Sequence, residues 1–133
     1  MSYRHVIARI KGLTVMPITD LSTFVSNPSA PSNIVSACPV STTNMDYARE
    51  VFGRMVRTHL KARSCIVRVL GDLYYKELDE ADVVKSQIVS LADGTIKTQE
   101  ELEKFVQDLI VKKMPLDRPQ WTVFVQSSGY SSG

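Results

Sequence analysis

The feature that most limits what this chain can fold into is the run Met114-Pro115-Leu116-Asp117-Arg118-Pro119-Gln120-Trp121, followed by Thr122-Val123-Phe124-Val125. Prolines remove backbone donors and push the residue before them out of the helical region, so a helix arriving here has to stop. The apolar, β-branched stretch that follows reads as a strand. A single strand leaves its backbone groups unpaired, so this one requires a sheet to join. The sequence runs only to Gly133, and the rest of that sheet is expected to lie outside it.

The segment leading into the corner is a helix by pattern. Thr98 and Glu101 form a capping-box pair. Leu102, Phe105, Val106, Leu109 and Ile110 make an apolar stripe at helical spacing. Glu100, Glu101 and Glu103 stand in the first turn, with Lys112 and Lys113 in the last, each favourable to the helix dipole. The cap is worth about 1 kcal/mol, whereas burying five such side chains is worth on the order of 10 kcal/mol. Burial dominates, so this helix requires a surface to pack on.

Upstream, residues 3–10 read as a short strand and residues 17–25 as a short helix or turn. Residues 26–33, with two prolines among Ser and Asn, read as a loop. Ile34-Val35-Ser36-Ala37-Cys38 reads as a strand ended by Pro39. A helix is expected from about Met45 to Leu60, capped from within Ser41-Thr42-Thr43-Asn44. Met45, Ala48, Phe52, Met55, Val56 and His59 share its apolar face, and Arg54, Arg57 and Lys61 lie opposite. Residues 64–70 and 73–75 form a hairpin about Gly71-Asp72. Residues 83–91 read as a strand preceded by an acidic loop at Asp79-Glu80-Ala81-Asp82. Residues 127–133, Ser-Ser-Gly-Tyr-Ser-Ser-Gly, read as a flexible tail.

The fold class is therefore α+β: a two-layer arrangement of two main helices on a mixed sheet, with residues 1–126 as the folded part. At 133 residues and 44% hydrophobic content the chain suits one domain with a real core. Sixteen basic residues against 14 acidic ones give no global call for a polyanion, and no strand interleaves aromatics with cations as an RNA reader would, so nucleic acid is excluded as a partner. Locally the balance differs. Arg49, Arg54, Arg57, Lys61, Arg63 and Arg68 crowd one stretch, and Arg54, Arg57, Lys61 and Arg63 form a candidate contact for an anionic surface such as a membrane. Two distant cysteines, Cys38 and Cys65, support neither a metal cluster nor a disulfide framework and suit a reducing, intracellular compartment. Arg9 and Lys11 interrupt the one N-terminal apolar run, and no window approaches the ~20 apolar residues of a membrane span.

Catalytic patterns are absent. The histidines, His5 and His59, stand alone, and His59 on an apolar helix face reads as a structural histidine rather than a general base. HExxH, CxxC, a Walker loop and GxGxxG do not occur. Trp121 at a strand start reads as core packing whose indole N–H finds an acceptor. Asp117 and Arg118, between the prolines, are candidates for a buried pair that stiffens the turn. No residue is assigned a catalytic or metal-binding role.

The run from Leu102 through Leu109-Ile110 to Met114-Pro115-Leu116-Asp117-Arg118-Pro119-Gln120-Trp121 resembles the N-terminal half of the wax ester synthase/diacylglycerol acyltransferase family. There an amphipathic helix leads through a Pro-Leu-Asp…Pro-Leu-Trp stretch into a strand. Met16-Pro17-Ile18-Thr19-Asp20-Leu21-Ser22-Thr23-Phe24 is similar to the family's opening segment, residues 34–40 to its first core strand and residues 46–60 to the helix after it, so the resemblance covers residues 16–126. The corner is shorter than the common form, and Gln120 replaces its leucine. The family's His-His-x-x-x-Asp-Gly motif occurs nowhere in these residues.

The resemblance implies the incomplete first half of a chloramphenicol-acetyltransferase-like fold. In that superfamily a histidine deprotonates an acceptor hydroxyl, which attacks an acyl-CoA thioester. Pro115, Leu116, Asp117, Arg118, Pro119 and Trp121 carry the resemblance as structural residues. The implied partners are the missing C-terminal half, acyl-CoA as co-substrate, and an alcohol or diacylglycerol. The implied location is cytoplasmic or peripheral to the endoplasmic reticulum membrane. A non-catalytic binding module that pairs through a sheet edge is the alternative.

Overall fold

In the computed structural model, residues 11–17, 34–37, 40 and 44–131 are described. The expected strand at 3–10, most of the 17–25 element and the loop at 26–33 lie outside them.

The protein is α+β. Helix α1 (Met45–Thr58) begins where expected: the Asn44 side chain accepts the amide N–H of Tyr47 at 2.8 Å. It buries Ala48, Gly53 and Val56. His59 is not on its apolar face. It falls just past the helix in extended backbone and is exposed, because the helix stops one residue short of it. A 3-10 turn (Leu60–Arg63) leads into β2 (Ser64–Val69), which pairs antiparallel with β3 (Asp72–Glu77). The register sets Val69 opposite Asp72, so the hairpin turns on Leu70-Gly71, one residue earlier than the sequence suggests. Both turn residues have positive φ, 51° and 87°, as the two-residue turn matching strand twist demands. Strand β1 (Thr14–Val15) lies on the other side of β3, giving the order β1-β3-β2. Both faces of this sheet are apolar: Ile66, Leu73 and Tyr75 pack with Met16 on one, and Tyr74 with Leu13, Val67 and Val69 on the other.

The stretch 83–91 is not one strand. Helix α2 (Glu80–Gln87) precedes β4 (Ile88–Leu91) without a break. The acids at 79–82, expected in a loop, start that helix: the Asp79 carboxylate accepts the Asp82 N–H at 3.1 Å, and Glu80 and Asp82 occupy the first turn, where the dipole favours negative charge. Val83 and Gln87, one turn apart, are both buried, and that helical spacing overrides the strand preference of paired valines. No strand forms over 34–37, where Ile34 is fully exposed.

Helix α3 (Gln99–Ile110) crosses from β4 to β5 (Val123–Gln126), and β5 lies parallel to β4, with Ile88 opposite Val123 and Val89 opposite Phe124. Among the described residues the strands thus divide into an antiparallel three-stranded sheet and a parallel pair. Thr98 caps α3 through the Glu101 N–H at 3.2 Å, while the Glu101 carboxylate returns to the amide of Lys97, one residue before the cap. Lys112 and Lys113 lie beyond the helix, whose last turn carries no basic residue. Ala48, Ile88 and Val125 form the third core cluster, joined by Met45, Phe52, Val84, Trp121 and Val123, so α1 covers one face of the parallel pair. On the other face Phe105 of α3 meets Phe124 edge-on, ring centres 5.4 Å apart. No residue of α3 is fully buried, so its stripe gains well short of the ~10 kcal/mol that complete burial would give.

Residues 127–131 are not a free tail. The Gly94 N–H donates to Ser128 O at 3.1 Å and the Ser131 N–H to Lys97 O at 2.9 Å, and the Tyr130 hydroxyl bonds Gln99 at 2.7 Å. Gln126 extends the tie, accepting from Ile96 N and donating to Ile96 O, at 2.8 and 2.7 Å. Low-complexity composition concealed a segment whose polar groups pair with the β4–α3 loop. Among the described residues no helix is long and apolar enough to cross a membrane.

Candidate functional site

Two regions gather the residues singled out by the sequence: the corner at 115–121 and the basic side of α1. The corner is rigid for specific reasons. Arg118 N–H points back to Pro115 O at 3.4 Å, and the Gln120 amide caps both Pro115 O and Arg118 O, at 2.8 and 3.0 Å. Leu116 O accepts the Ile66 N–H at 2.8 Å, which ties the corner to strand β2. The Trp121 indole donates to Ala62 O at 2.8 Å and stacks on Phe52, centroids 6.3 Å apart. From the opposite side the buried Gln87 amide donates to Pro119 O at 3.0 Å and to Trp121 O.

The expected Asp117–Arg118 pair is not there. Both side chains are exposed, and among the described residues no ion pair joins them. Gln120 does the turn-stiffening instead, its amide donating to the carbonyls of Pro115 and Arg118. Pro115, Leu116, Asp117 and Arg118 are exposed, Pro119 is buried and Trp121 is partly buried. What these bonds do is positional: they deliver β5 alongside β4.

The basic residues of α1 and of the 3-10 turn after it differ in their surroundings. Arg54 bonds Glu50, one turn earlier, at 2.8 Å, a solvent-facing pair worth a few tenths of a kcal/mol. Arg63 grips Glu77 through Nε and Nη2 at 3.2 and 2.9 Å, and its Nη1 donates to the carbonyls of Val56 and Arg57 at 3.2 and 3.3 Å. That arginine closes the C-terminal end of α1 against the hairpin and is not available as a surface contact. Lys61 is exposed on the 3-10 turn. Arg57 instead faces an open groove between α1 and α2, of about 600 Å³, whose lining includes Arg49, Gly53, Glu80, Val84 and Lys85.

The sequence gives no signal for Lys85, because the valines beside it carry a strand pattern where the structure has a helix. Gln87 is hidden for the same reason, although a lone amide among Val83, Val84, Ile88 and Val89 is the available signal. No group of three or more His, Cys, Asp or Glu side chains among the described residues comes together to hold a metal. Comparison with protein-family models, with curated proteins and with solved structures gives no match to this chain.

Proposed function

We propose that the chain is the N-terminal part of an acyl-CoA-dependent O-acyltransferase of the wax ester synthase/diacylglycerol acyltransferase type. Its role is to build one side of the acyl-transfer fold, while the proton-abstracting histidine comes from a part of the fold outside residues 1–133. The observation that carries the reading is the corner at 115–121: the motif of highest specificity is also the junction that hands α3 on to a strand parallel to β4. The parallel pair has no third strand among the described residues, which leaves room for the remainder of the fold to extend it. In this reading acyl-CoA and an alcohol or diacylglycerol are substrates of the completed enzyme. It works inside the cell, in the cytoplasm or on the surface of the endoplasmic reticulum membrane. The purified chain, offered acyl-CoA with a fatty alcohol or with diacylglycerol, is expected to give no ester. Ester formed above the protein-free rate would contradict the assignment of the chemistry elsewhere.

A second reading is favoured by the same open pair and by the half-covered stripe of α3: a non-catalytic module that pairs through a sheet edge. A defined dimer by light scattering, together with a gene that encodes no His-His-x-x-x-Asp-Gly motif, would favour it over the first.

A further inference from the structure

The groove between α1 and α2 shares no residue with the corner at 115–121, and its charges are arranged differently from the rest of the basic helix. Arg49, Gly53 and Arg57 lie at successive turns of α1, so they line one side of the groove together. Lys85, from the last turn of α2, faces them, and Gly53, Ala81 and Val84 make an apolar floor. Residue 53 is a glycine at this point of the lining, and a Cβ there would stand in ordinary contact, 3.9 Å from Val84 Cγ2 and 3.6 Å from Arg57 Nη1.

Arg57 and Lys85 have no ion pair or side-chain hydrogen bond among the described residues, whereas Arg54 and Arg63 on neighbouring faces are tied. Arg49 has only a 3.9 Å approach to Asp46, both side chains being well exposed, and such a pair contributes almost nothing. Glu80 is the one acid in the lining, and it stands in the first turn of α2, where the helix dipole already favours it. The lining itself carries three cations and one carboxylate, a net of two positive charges around an apolar floor, with the Asp46 carboxylate 3.9 Å from Arg49.

We propose that this groove binds a dianionic phosphate monoester with an apolar substituent, the phosphate held by Arg49, Arg57 and Lys85 and the substituent lying on Gly53, Ala81 and Val84. Guanidinium groups match the paired oxygens of a phosphate in a way a lone ammonium does not, and Lys85 adds a point charge from the facing helix. A carboxylate carries one negative charge and leaves the second cation unmatched. Inorganic phosphate satisfies the charges but leaves the floor wet.

The test is an NMR titration of the full chain with octyl phosphate, inorganic phosphate and octanoate, following the amides of Gly53, Val84 and Lys85. Octyl phosphate is expected to saturate and to bind more tightly than either of the others, and added salt is expected to weaken it. The double variant Arg57→Glu, Lys85→Glu is expected to weaken it at least ~10-fold, with Arg49→Gln as a milder second variant. Arg54→Glu, outside the groove, is expected to change binding less than about twofold. These side chains are on the surface, and unchanged Trp121 emission confirms that each variant is folded. Absence of saturable shifts, equal binding of octanoate, or insensitivity to the double variant would overturn the proposal. So would tight binding to phosphatidic acid vesicles without any binding of octyl phosphate, which would place the anion on a membrane face instead of in the groove.

Discussion

Replacing Gln87 by Met removes one amide and almost no volume, which makes it the cleanest probe of how the corner is held. Gln87 is only 3% exposed. Its Nε2 donates to Pro119 O at 3.0 Å and to Trp121 O, and its Oε1 accepts from the Ser86 hydroxyl at 3.2 Å. Methionine fills a similar space, so the packing change costs well under 1.5 kcal/mol. The two carbonyls remain in place without a donor. Each lost bond is worth about 1 kcal/mol net, and a buried carbonyl left unsatisfied costs about 1–3 kcal/mol. Pro119 is buried and Trp121 partly buried, so Trp121 O regains some water and the total falls near 2–3 kcal/mol. Urea unfolding followed by Trp121, the only tryptophan, should show a midpoint lowered by roughly 1–2 M at unchanged slope. Gln87→Glu should be worse, because a carboxylate would face two carbonyl oxygens without offering a donor. A Gln87→Met protein within about 0.5 kcal/mol of the parent would refute the reasoning, since the corner would then be held by something other than this amide.

Three further changes test other joints. Leu70→Asn should stabilise the protein by about 0.5–1 kcal/mol in the same urea assay, because Leu70 is 54% exposed at φ 51° and asparagine tolerates that region better; destabilisation would contradict the turn assignment. Gly129→Ala should destabilise by more than about 1 kcal/mol, because its φ is +95° and a Cβ there would come within 2.6 Å of Gly94 Cα. Faster hydrogen exchange at the Gly94 and Ser131 amides would report that loss, and unchanged exchange would mean that residues 127–131 are not docked. Arg63→Ala should cost about 1–2 kcal/mol and Arg54→Ala no more than about 0.5 kcal/mol, a contrast that equal losses in urea would erase.

What the sequence disclosed and what it hid follow from the range of the interactions. A cap for α1 within residues 41–44, the Thr98 cap, the core face of α1 from Met45 to Val56, and the indole of Trp121 seeking an acceptor were legible, because each is written in nearby residue types. Helix α2 was misread because Val83-Val84 and Ile88-Val89 carry strand preferences, and only tertiary burial of Val83 and Gln87 one turn apart decides for helix. The hairpin turn slipped by one residue because leucine is not a usual signal for positive φ. The docking of residues 127–131 depends on Gln126, Ser128 and Tyr130 meeting Ile96, Gly94 and Gln99, contacts that composition cannot reveal. The groove was half visible: Arg49 and Arg57 stood in the basic cluster, while Lys85 joined them only once α2 was a helix.

Sequencing of the gene downstream of the Gly133 codon tests the acyltransferase account most directly. The account predicts one further strand followed by His-His-x-x-x-Asp-Gly, the histidine that would take the acceptor's proton. A downstream sequence without that motif would contradict it.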